Sequence, residues 1–275
     1  MCDHTLAIYC FIDDILKATG HKEDQRCQVS DAEVLTIAVT AMLYFGGNFE
    51  KSRLVLSELG LMNRMLSRSR LNRRLHRLSG LLHLIFHQLG SVLKTLNWES
   101  RYLLDSFPVA VCDNIRIPRC RLVKDELYRG RIQSKRRYFY GVKVQVLTTI
   151  GGLPTEFCIL PGACHDLQGL AELAFDSLDN AEVLADAAYT NYEWEDYFLE
   201  TEELKLQVPR KANSKRAREP FVEIYKQIFR KRIETVIGEI QKMFPKKLHA
   251  TTLNGFVLKI GLFLFAYQLD KAFIQ

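Results

Sequence analysis

An aspartate interrupts an apolar run just after residue 100, in the stretch LLDSFPV at positions 103–109. The run is typical of a buried strand, where an ionised carboxylate is costly to desolvate unless another group offsets its charge. A chain that keeps Asp105 in such a strand must therefore supply a compensating partner. A bound metal ion is one such partner, because its charge balances a carboxylate that water no longer reaches.

The residues around this aspartate predict a group of strands. Residues 101–112 are typical of a strand, and residues 113–137 are interpreted as a basic connection. At 140–146, tyrosine and valines alternate with glycine and polar residues, which is the period-two pattern of a strand. The pair Gly151-Gly152 predicts a turn, and LPTEFCIL is the returning strand.

The sequence then alternates between helix and strand patterns. Asp166 is predicted to cap a helix that continues to about Leu178. The segments AEVLADAAY, YEWEDYFLE, LKLQV and residues 219–244 follow as strand, helix, strand and helix. Three consecutive strands followed by alternation predict an α/β fold, a mixed sheet with helices on its faces.

Residues 1–98 predict an all-helical N-terminal region, separate from an α/β domain at 99–275. The segment DAEVLTIAVTAMLYFGG has Asp31 as the predicted N-cap and a glycine pair at its end. Near the C-terminus, residues 253–269 form an apolar stretch that carries Lys259. It is short for a membrane span, so a packed core helix is the better interpretation and no membrane partner is expected.

Composition narrows the class of protein. The net charge of +6 favours a polyanionic partner. The seven cysteines show no CxxC spacing, which argues against a disulfide framework and a zinc knuckle. The first residues lack the basic segment of a secretory signal. A reduced, cytoplasmic enzyme or binding protein is therefore expected.

Three carboxylates are candidates for a metal site. Asp105 lies in the first strand and Asp186 ends a later one, and ligands in mixed α/β sheets bind near strand carboxyl ends. Each aspartate alone is more typical of a turn or a cap, and two on neighbouring strands weaken that interpretation. Glu234, in RKRIETVIGEI, falls off the apolar stripe of its helix. That position suits the rim of a groove, and it also suits a solvent face with Arg230 as an ion-pair partner.

Basic residues cluster around these carboxylates and alternate with tyrosines. Such runs are either solvated faces or contacts to a phosphate backbone, and several runs near one acidic site favour the second interpretation. His165 and Asp166 form either a catalytic pair or a helix N-cap with a polar neighbour. The candidates for DNA contact are Arg116, Arg119, Arg121, Lys135, Arg136, Arg137, Lys143, Arg210, Lys211 and Arg230.

An ordered set of segments resembles the DDE transposases of bacterial insertion sequences, in particular the insertion sequence 982 group. The segments are DSFPVAVC, spaced arginines with Gly130, YFYGVKVQVLTTIGGLPTEFCILPGACHD, VLADAAY, RKRIET and TTLNGFVLKIGLFLFAYQL. Family members often have histidine at the position of Gln145 and glycine at that of Ala188. In the family's tyrosine-arginine-glutamate-lysine signature, Arg230 and Glu234 fit, whereas Gln227 and Gln241 replace the other two.

The resemblance implies a ribonuclease-H-like core of the retroviral-integrase type, with Asp105, Asp186 and Glu234 as the catalytic, metal-binding triad. It implies two Mg²⁺ ions, for which Mn²⁺ can substitute, and strand cleavage and transfer at transposon ends. The implied partners are double-stranded DNA, as terminal repeats and target, and a second copy of the chain in the DNA complex. Residues 1–98 would bind the DNA ends, and the bacterial protein would be nucleoid-associated when bound to DNA.

Two alternatives stay open from the residues alone. One is a metal-dependent nuclease on the same fold, without strand transfer. The other is a catalytically retired transposase kept for DNA binding, although the three intact carboxylates argue against it. A supplied 3′-hydroxyl end and a target plasmid would separate a transferase from a nuclease.

Overall fold

A computed structural model of the chain describes residues 1–132, 136–176, 178, 180–210, 214–216 and 220–274. The side chains at 113–115, 220–223, 225–227 and 274 lie outside this description. The chain divides into two compact units, Met1–Phe86 with Ile240–Gln275 and His87–Glu239. The functional division at residue 98, with an N-terminal region that binds DNA ends, stays a prediction.

The elements follow the predicted order closely. The α-helices are α1 (Cys2–Ala18), α2 (Asp31–Phe45), α3 (Phe49–Glu58), α4 (Arg68–Arg77), α5 (Ser79–Thr95), α6 (Asp166–Leu170), α7 (Tyr192–Thr201), α8 (Pro220–Met243) and α9 (Leu253–Leu269). The strands are β1 (Arg101–Asp113), β2 (Arg129–Ile132), β3 (Arg137–Thr149), β4 (Pro154–Pro161), β5 (Glu182–Ala185) and β6 (Lys205–Gln207). The helical N-terminal region and the strand-rich segment after residue 100 are confirmed.

Helix α2 begins at Asp31, so its N-cap lies one residue earlier than predicted. Ser30, not Asp31, is the N-cap: its hydroxyl accepts from the Glu33 N–H, and the Glu33 carboxylate accepts from the Ser30 N–H. This reciprocal arrangement satisfies two backbone donors at the helix start. Asp31 instead pairs with Arg74 and His21. The predicted end of the helix is confirmed, since Gly46 caps it in the left-handed conformation at φ 55°.

Helices α2 and α9 form the core of the first unit. They pack against each other, and α1 and α3 pack on α2. Nearly every side chain of α9 from Ile260 to Leu269 is buried, so the prediction of a packed core helix is confirmed. Within the described residues, no single helix is long and apolar enough to span a membrane, although α2 and α3, bent by 105°, pass as a pair by length and composition.

The second unit is built on a six-stranded mixed sheet in the order β2-β3-β1-β5-β6, with β4 also paired to β3. The pairs β1–β3, β2–β3 and β3–β4 are antiparallel, and β1–β5 and β5–β6 are parallel. Helices flank this sheet. The predicted fold class, a mixed ribonuclease-H-like sheet preceded by a helical region, is confirmed.

The interpretation of residues 113–137 as a plain connection is wrong in part, because β2 lies within it. Arg129 and Arg131 are exposed while Gly130 is buried between them. A Cβ at Gly130 would lie 2.4 Å from the Phe139 ring and 2.5 Å from the Gly162 carbonyl oxygen. The strand therefore needs glycine for close packing, and its arginines hide the usual apolar signal of a strand.

The helix predicted from Asp166 to Leu178 ends at Leu170, and His165 rather than Asp166 is its N-cap. The segment after the helix is held by a buried lysine. The ammonium group of Lys94 donates to the carbonyl oxygens of Ala174 and Asp176, at 2.9 and 3.3 Å.

Gly141→Ala is expected to lower the free energy of unfolding by roughly 1–3 kcal/mol or more, the usual range for overpacking. Its Cβ would lie 2.2 Å from the Val109 carbonyl oxygen on the paired strand. Gly238→Ala is the matched control, since nothing lies within 4 Å of its Cβ and alanine in a helix interior adds up to about 1 kcal/mol. Urea unfolding of the full chain measures both, and equal effects would contradict the packing argument.

Candidate active site

Two aspartates lie side by side where β5 ends. Leu104 of β1 pairs in parallel with Ala185, the last residue of β5. Asp105 follows Leu104 and Asp186 follows Ala185, so the pairing of the two strands places the aspartates next to each other. The structure thus brings together two of the three predicted site residues.

Backbone hydrogen bonds fix both carboxylates. Oδ1 of Asp105 accepts from the Ser106 N–H at 2.7 Å. Oδ1 of Asp186 accepts from the Ala188 N–H at 2.7 Å and caps the 3₁₀ turn Ala187–Tyr189. In each group the second oxygen has no hydrogen-bond donor among the described residues, which leaves it available for a ligand.

The two aspartates line an otherwise mostly apolar groove. Its walls come from β1, β5, the residue Pro209 after β6, and α8. Among the described residues of the lining, Arg230 is the one cation. The groove residues are Leu103, Leu104, Asp105, Leu184, Ala185, Asp186, Pro209, Phe229, Arg230 and Ile233.

Burial dominates the electrostatics of Asp105. The pKa of this carboxyl is raised from 3.8 to about 7, and burial is the largest cause, against the lowering effect of the Ser106 N–H. The charges of Asp186 and Asp166 contribute to the same rise, and Arg230 opposes it. The protein thus gathers carboxylates without enough positive charge to balance them. Hard oxygen donors with uncompensated negative charge fit a divalent cation such as Mg²⁺.

Glu234 lies outside the groove lining, on the exposed face of α8. Its carboxylate accepts from Nε of Arg230 at 3.1 Å, and both side chains are more than half exposed. The structure therefore places Glu234 one helical turn from a groove residue and not in contact with the aspartates. Its part in the triad stays a prediction.

Asp166 is a further carboxylate of this region that the predicted site left out. It accepts from the Ser106 hydroxyl at 2.8 Å and pairs with Lys143 at 3.1 Å. Its backbone carbonyl accepts from the buried side-chain amide of Gln145 at 2.6 Å. The sequence carried one signal for Asp166, its position next to His165. Of the two interpretations of that pair, a helix N-cap with a polar neighbour is confirmed, with His165 as the N-cap.

Tyr189 is fully buried behind the aspartates. Burial raises its pKa well above 10, and the charges of Asp166, Asp105 and Asp186 raise it further. The Ser106 hydroxyl lies nearby and lowers this pKa, yet no described residue forms a hydrogen bond with the phenol oxygen. The tyrosine therefore stays neutral and gives the carboxylates an uncharged wall.

The predicted DNA contacts fall into three groups. Arg116, Arg119, Arg121, Arg136 and Arg230 are exposed, and Arg137 is half-buried. Lys143 pairs with Asp166, and Arg210 donates to both carboxylate oxygens of the buried Glu195. Lys135 and Lys211 lie outside the described residues. The role of the whole set in DNA binding stays a prediction.

A second cluster of metal-ligand type occurs in the first unit, formed by His21, Glu23 and Asp31. Asp31 accepts from Arg74 and His21, and the Glu23 carboxylate accepts from the Asp31 N–H at 2.7 Å. Arg74 thus balances this charge within the protein. The cluster is accounted for as the anchor between α2 and α4.

Asp105→Asn is expected to stabilise the metal-free protein at pH 8 and to have little effect near pH 4. The folded-state pKa of about 7 exceeds the ordinary 3.8, so the folded chain binds this proton more tightly than the unfolded chain. The stability that protonated Asp105 contributes is therefore lost as the pH rises from 3.8 to about 7. Asparagine does not ionise, so the variant does not lose stability in this range. The difference should reach a few kcal/mol.

Urea unfolding in chelator at several pH values measures this difference. Glu200→Gln, an exposed carboxylate on α7, is the control and should show a small difference that does not change with pH. A constant difference for Asp105→Asn would contradict the role of burial.

The family model of the transposase DDE domain matches residues 99–269. No curated protein and no solved structure matches the chain. The matched part is more than half of the 275 residues and contains the groove with both aspartates. Members of this family are DNA-transposing enzymes that use a divalent metal. The chain belongs to the DDE transposase family.

Proposed function

We propose that the protein cleaves DNA strands at the ends of an insertion sequence of the 982 group and transfers them to a target, using Mg²⁺. The observation that carries this proposal is the placement of Asp105, inside β1, beside Asp186, which follows the end of β5, in a mostly apolar groove. Terminal repeats and target DNA are the substrates, and a homodimer acts in the DNA complex. Nucleoid association follows from DNA binding.

The metal would be held by the carboxylates of Asp105, Asp186 and Glu234. Two Mg²⁺ ions are proposed, and Mn²⁺ can substitute for Mg²⁺. Such ions activate water or a 3′-hydroxyl group and stabilise the leaving oxygen. Asp105 and Asp186 supply fixed oxygens, because strand backbone and N–H groups orient them. Arg230 holds Glu234 beside the groove and offers its remaining N–H groups to a DNA phosphate.

Asp105→Asn and Asp186→Asn are each expected to abolish Mg²⁺-dependent nicking of DNA that carries the element ends. Both variants keep the volume of the side chain and remove the charge that a cation requires. Folding and DNA affinity should persist, since the basic residues are unchanged. Glu234→Gln should also abolish nicking, and Glu200→Gln, on another exposed helix face, should leave it intact.

A paired nicking and melting assay provides the measurement. Clear nicking by a folded Asp105→Asn protein would end the catalytic proposal. Addition of a 3′-hydroxyl end and a target plasmid separates the alternatives: joined products indicate a transposase, nicks alone indicate a nuclease, and binding alone indicates a retired protein.

The proposed DNA-end contact of residues 1–98 rests on α4. Leu71 and Leu75 are buried, while Arg68, Arg70, Arg73 and Arg77 are exposed on the same helix. Arg74 is the exception, since it pairs with Asp31 and donates to the Val29 carbonyl oxygen at 3.0 Å. One face of α4 thus holds the fold and the other presents cations. A helical packing or dimerisation role is the alternative.

Arg70→Gln with Arg73→Gln is expected to weaken binding to end DNA and to lower the dependence of log affinity on log salt by about two, one for each lost phosphate contact. The control is Lys246→Gln with Lys247→Gln, which removes two exposed charges elsewhere in the same unit. This control should change the affinity and its salt dependence less. Titrations at several salt concentrations measure both. Unchanged affinity and slope in the α4 variant would support the packing role.

A further inference from the structure

One arginine of α8 binds the turn between β3 and β4. Nε of Arg232 donates to the carbonyl oxygen of Ile150 at 3.1 Å, and Nη2 donates to that of Gly151 at 2.9 Å. Two donors of one planar guanidinium group on two successive carbonyl groups fix an orientation as well as a distance. The helix that carries Glu234 is thus joined to the strand that pairs with β1.

The turn itself is shaped to receive the helix. Gly152 has a φ of 90°, which L side chains rarely adopt, and its N–H donates to the Thr149 carbonyl oxygen at 2.9 Å. A Cβ at Gly152 would also lie 2.9 Å from Cγ2 of Val236 on α8. The sequence predicted this glycine as a turn residue only. The structure gives it a second role, because α8 approaches the turn where a side chain would lie.

The helix has two flanks, one on each side of a buried stripe. At about 100° per residue, Ile233 and Val236 lie about 100° and 40° from Arg232 around the helix axis, and both are buried. Arg230 and Glu234 lie about 160° and 200° from Arg232, and both are exposed. The stripe therefore faces the protein, with Arg232 on one flank and Arg230 and Glu234 on the other.

The sheet holds one flank at the turn and carries the metal site near the other. Arg230 and Ile233 line the groove together with Asp105. Thr149, the last residue of β3 before the turn, pairs with Tyr102 of β1. Asp105 follows Tyr102 three residues later, about 10 Å along the strand. The paired strands therefore fix the distance between the turn that holds Arg232 and the carboxylate in the groove.

The hydrogen bonds of Arg232 limit rotation of α8 about its own axis. The buried stripe alone restrains rotation weakly, because hydrophobic contact is non-directional. A rotation of about 20° moves a side-chain end on the helix surface, about 5–6 Å from the axis, by about 2 Å. Mg²⁺ requires near-ideal geometry at about 2.0–2.1 Å from its ligands. A displacement of this size on the flank of Glu234 would therefore separate a ligand from the metal.

We propose that Arg232 is a positioning residue for the metal site: its two hydrogen bonds to the β3–β4 turn fix the rotation of α8, which keeps Glu234 beside the groove. This inference rests on the proposed function, since Glu234 must bind the metal there. The Glu234 side chain stays adjustable, and Arg232 fixes only the backbone that carries it. The alternative is that Arg232 contributes only to the stability of the second unit.

Binding of Mn²⁺ to the full chain, followed by the electron paramagnetic resonance signal of the free ion, tests the inference without DNA. Arg232→Gln should weaken Mn²⁺ binding by about tenfold, the lower end of the usual effect of residues that orient metal ligands. The matched control is Lys231→Gln, which removes the neighbouring exposed cation of the same helix. Loss of a nearby positive charge alone favours a bound cation, so the control should keep or slightly raise the affinity.

A double-mutant cycle links the effect to Glu234. Glu234→Gln should also weaken Mn²⁺ binding. In that background Arg232→Gln should cause no further loss, since both changes act on the same ligand. Melting curves in chelator establish that each variant is folded. If Arg232→Gln does not fold, Arg232→Lys takes its place and should also weaken binding, because lysine keeps the charge but lacks the planar fork.

Two results would overturn the inference. One is wild-type affinity for Mn²⁺ in the folded Arg232 variant. The other is an equal loss of affinity with Glu234 present and with Glu234 replaced, which indicates a general structural effect.

Failure of the proposed function gives a different pattern. If the cycle is as expected but the wild-type protein does not nick DNA in Mg²⁺, the catalytic proposal falls and the positioning role stands. If the wild type nicks DNA, Glu234→Gln abolishes nicking and Arg232→Gln binds Mn²⁺ as the wild type does, the positioning role falls and the catalytic proposal stands. A wild-type protein that binds no Mn²⁺ overturns both.

Discussion

The antiparallel pairing of β1 and β3 supports the rest of the second unit, His87–Glu239. It runs from the pair Tyr102–Thr149 to the pair Asp113–Phe139. The strands β5 and β6 extend the sheet from β1, whereas β2 and β4 pair with β3. A shift of this ladder by one residue would turn every side chain to the opposite face. The position of Asp105 beside Asp186 and the direction of the β2–β3 hairpin thus depend on one register.

Two carboxylates of the sheet, Glu156 and Asp105, differ in how the protein balances their charge. Glu156 on β4 is buried and pairs with Lys94 at 2.8 Å and with His87, so the protein itself supplies the balancing charge. Asp105 accepts from a backbone N–H and is not ion-paired with Arg230, which lines the same groove, and its pKa rises to about 7. Removing one partner of a buried pair is strongly destabilising. A structural carboxylate is therefore satisfied within the fold, and a carboxylate left without an ion pair beside the end of a neighbouring strand is typical of a ligand site.

Local sequence patterns predicted most of the elements, because each pattern reports the burial of its own segment. They failed where a distant residue decides the backbone. Strand β2 has exposed arginines and a glycine needed by Phe139, so its own residues lack an apolar face. After helix α6, the carbonyl groups of Ala174 and Asp176 accept from Lys94, which lies 80 residues or more earlier in the sequence and leaves no local pattern. The nearness of Asp166 to Asp105 also follows from tertiary packing and not from spacing.

The third carboxylate of the proposed triad differs physically from the first two. Asp105 and Asp186 are set by the strand backbone, whereas Glu234 is fixed only by an ion pair with Arg230 in which both groups are more than half exposed. Exposed pairs at this helical spacing are worth about 0.3–0.5 kcal/mol. The Glu234 carboxylate, as a hard oxygen ligand, would have a divalent cation at the aspartates as an alternative partner, and breaking so weak a pair would be a minor cost. Under the proposed function, Glu234 would then be the adjustable ligand, and its release would free the Arg230 guanidinium for DNA at the moment the groove is loaded.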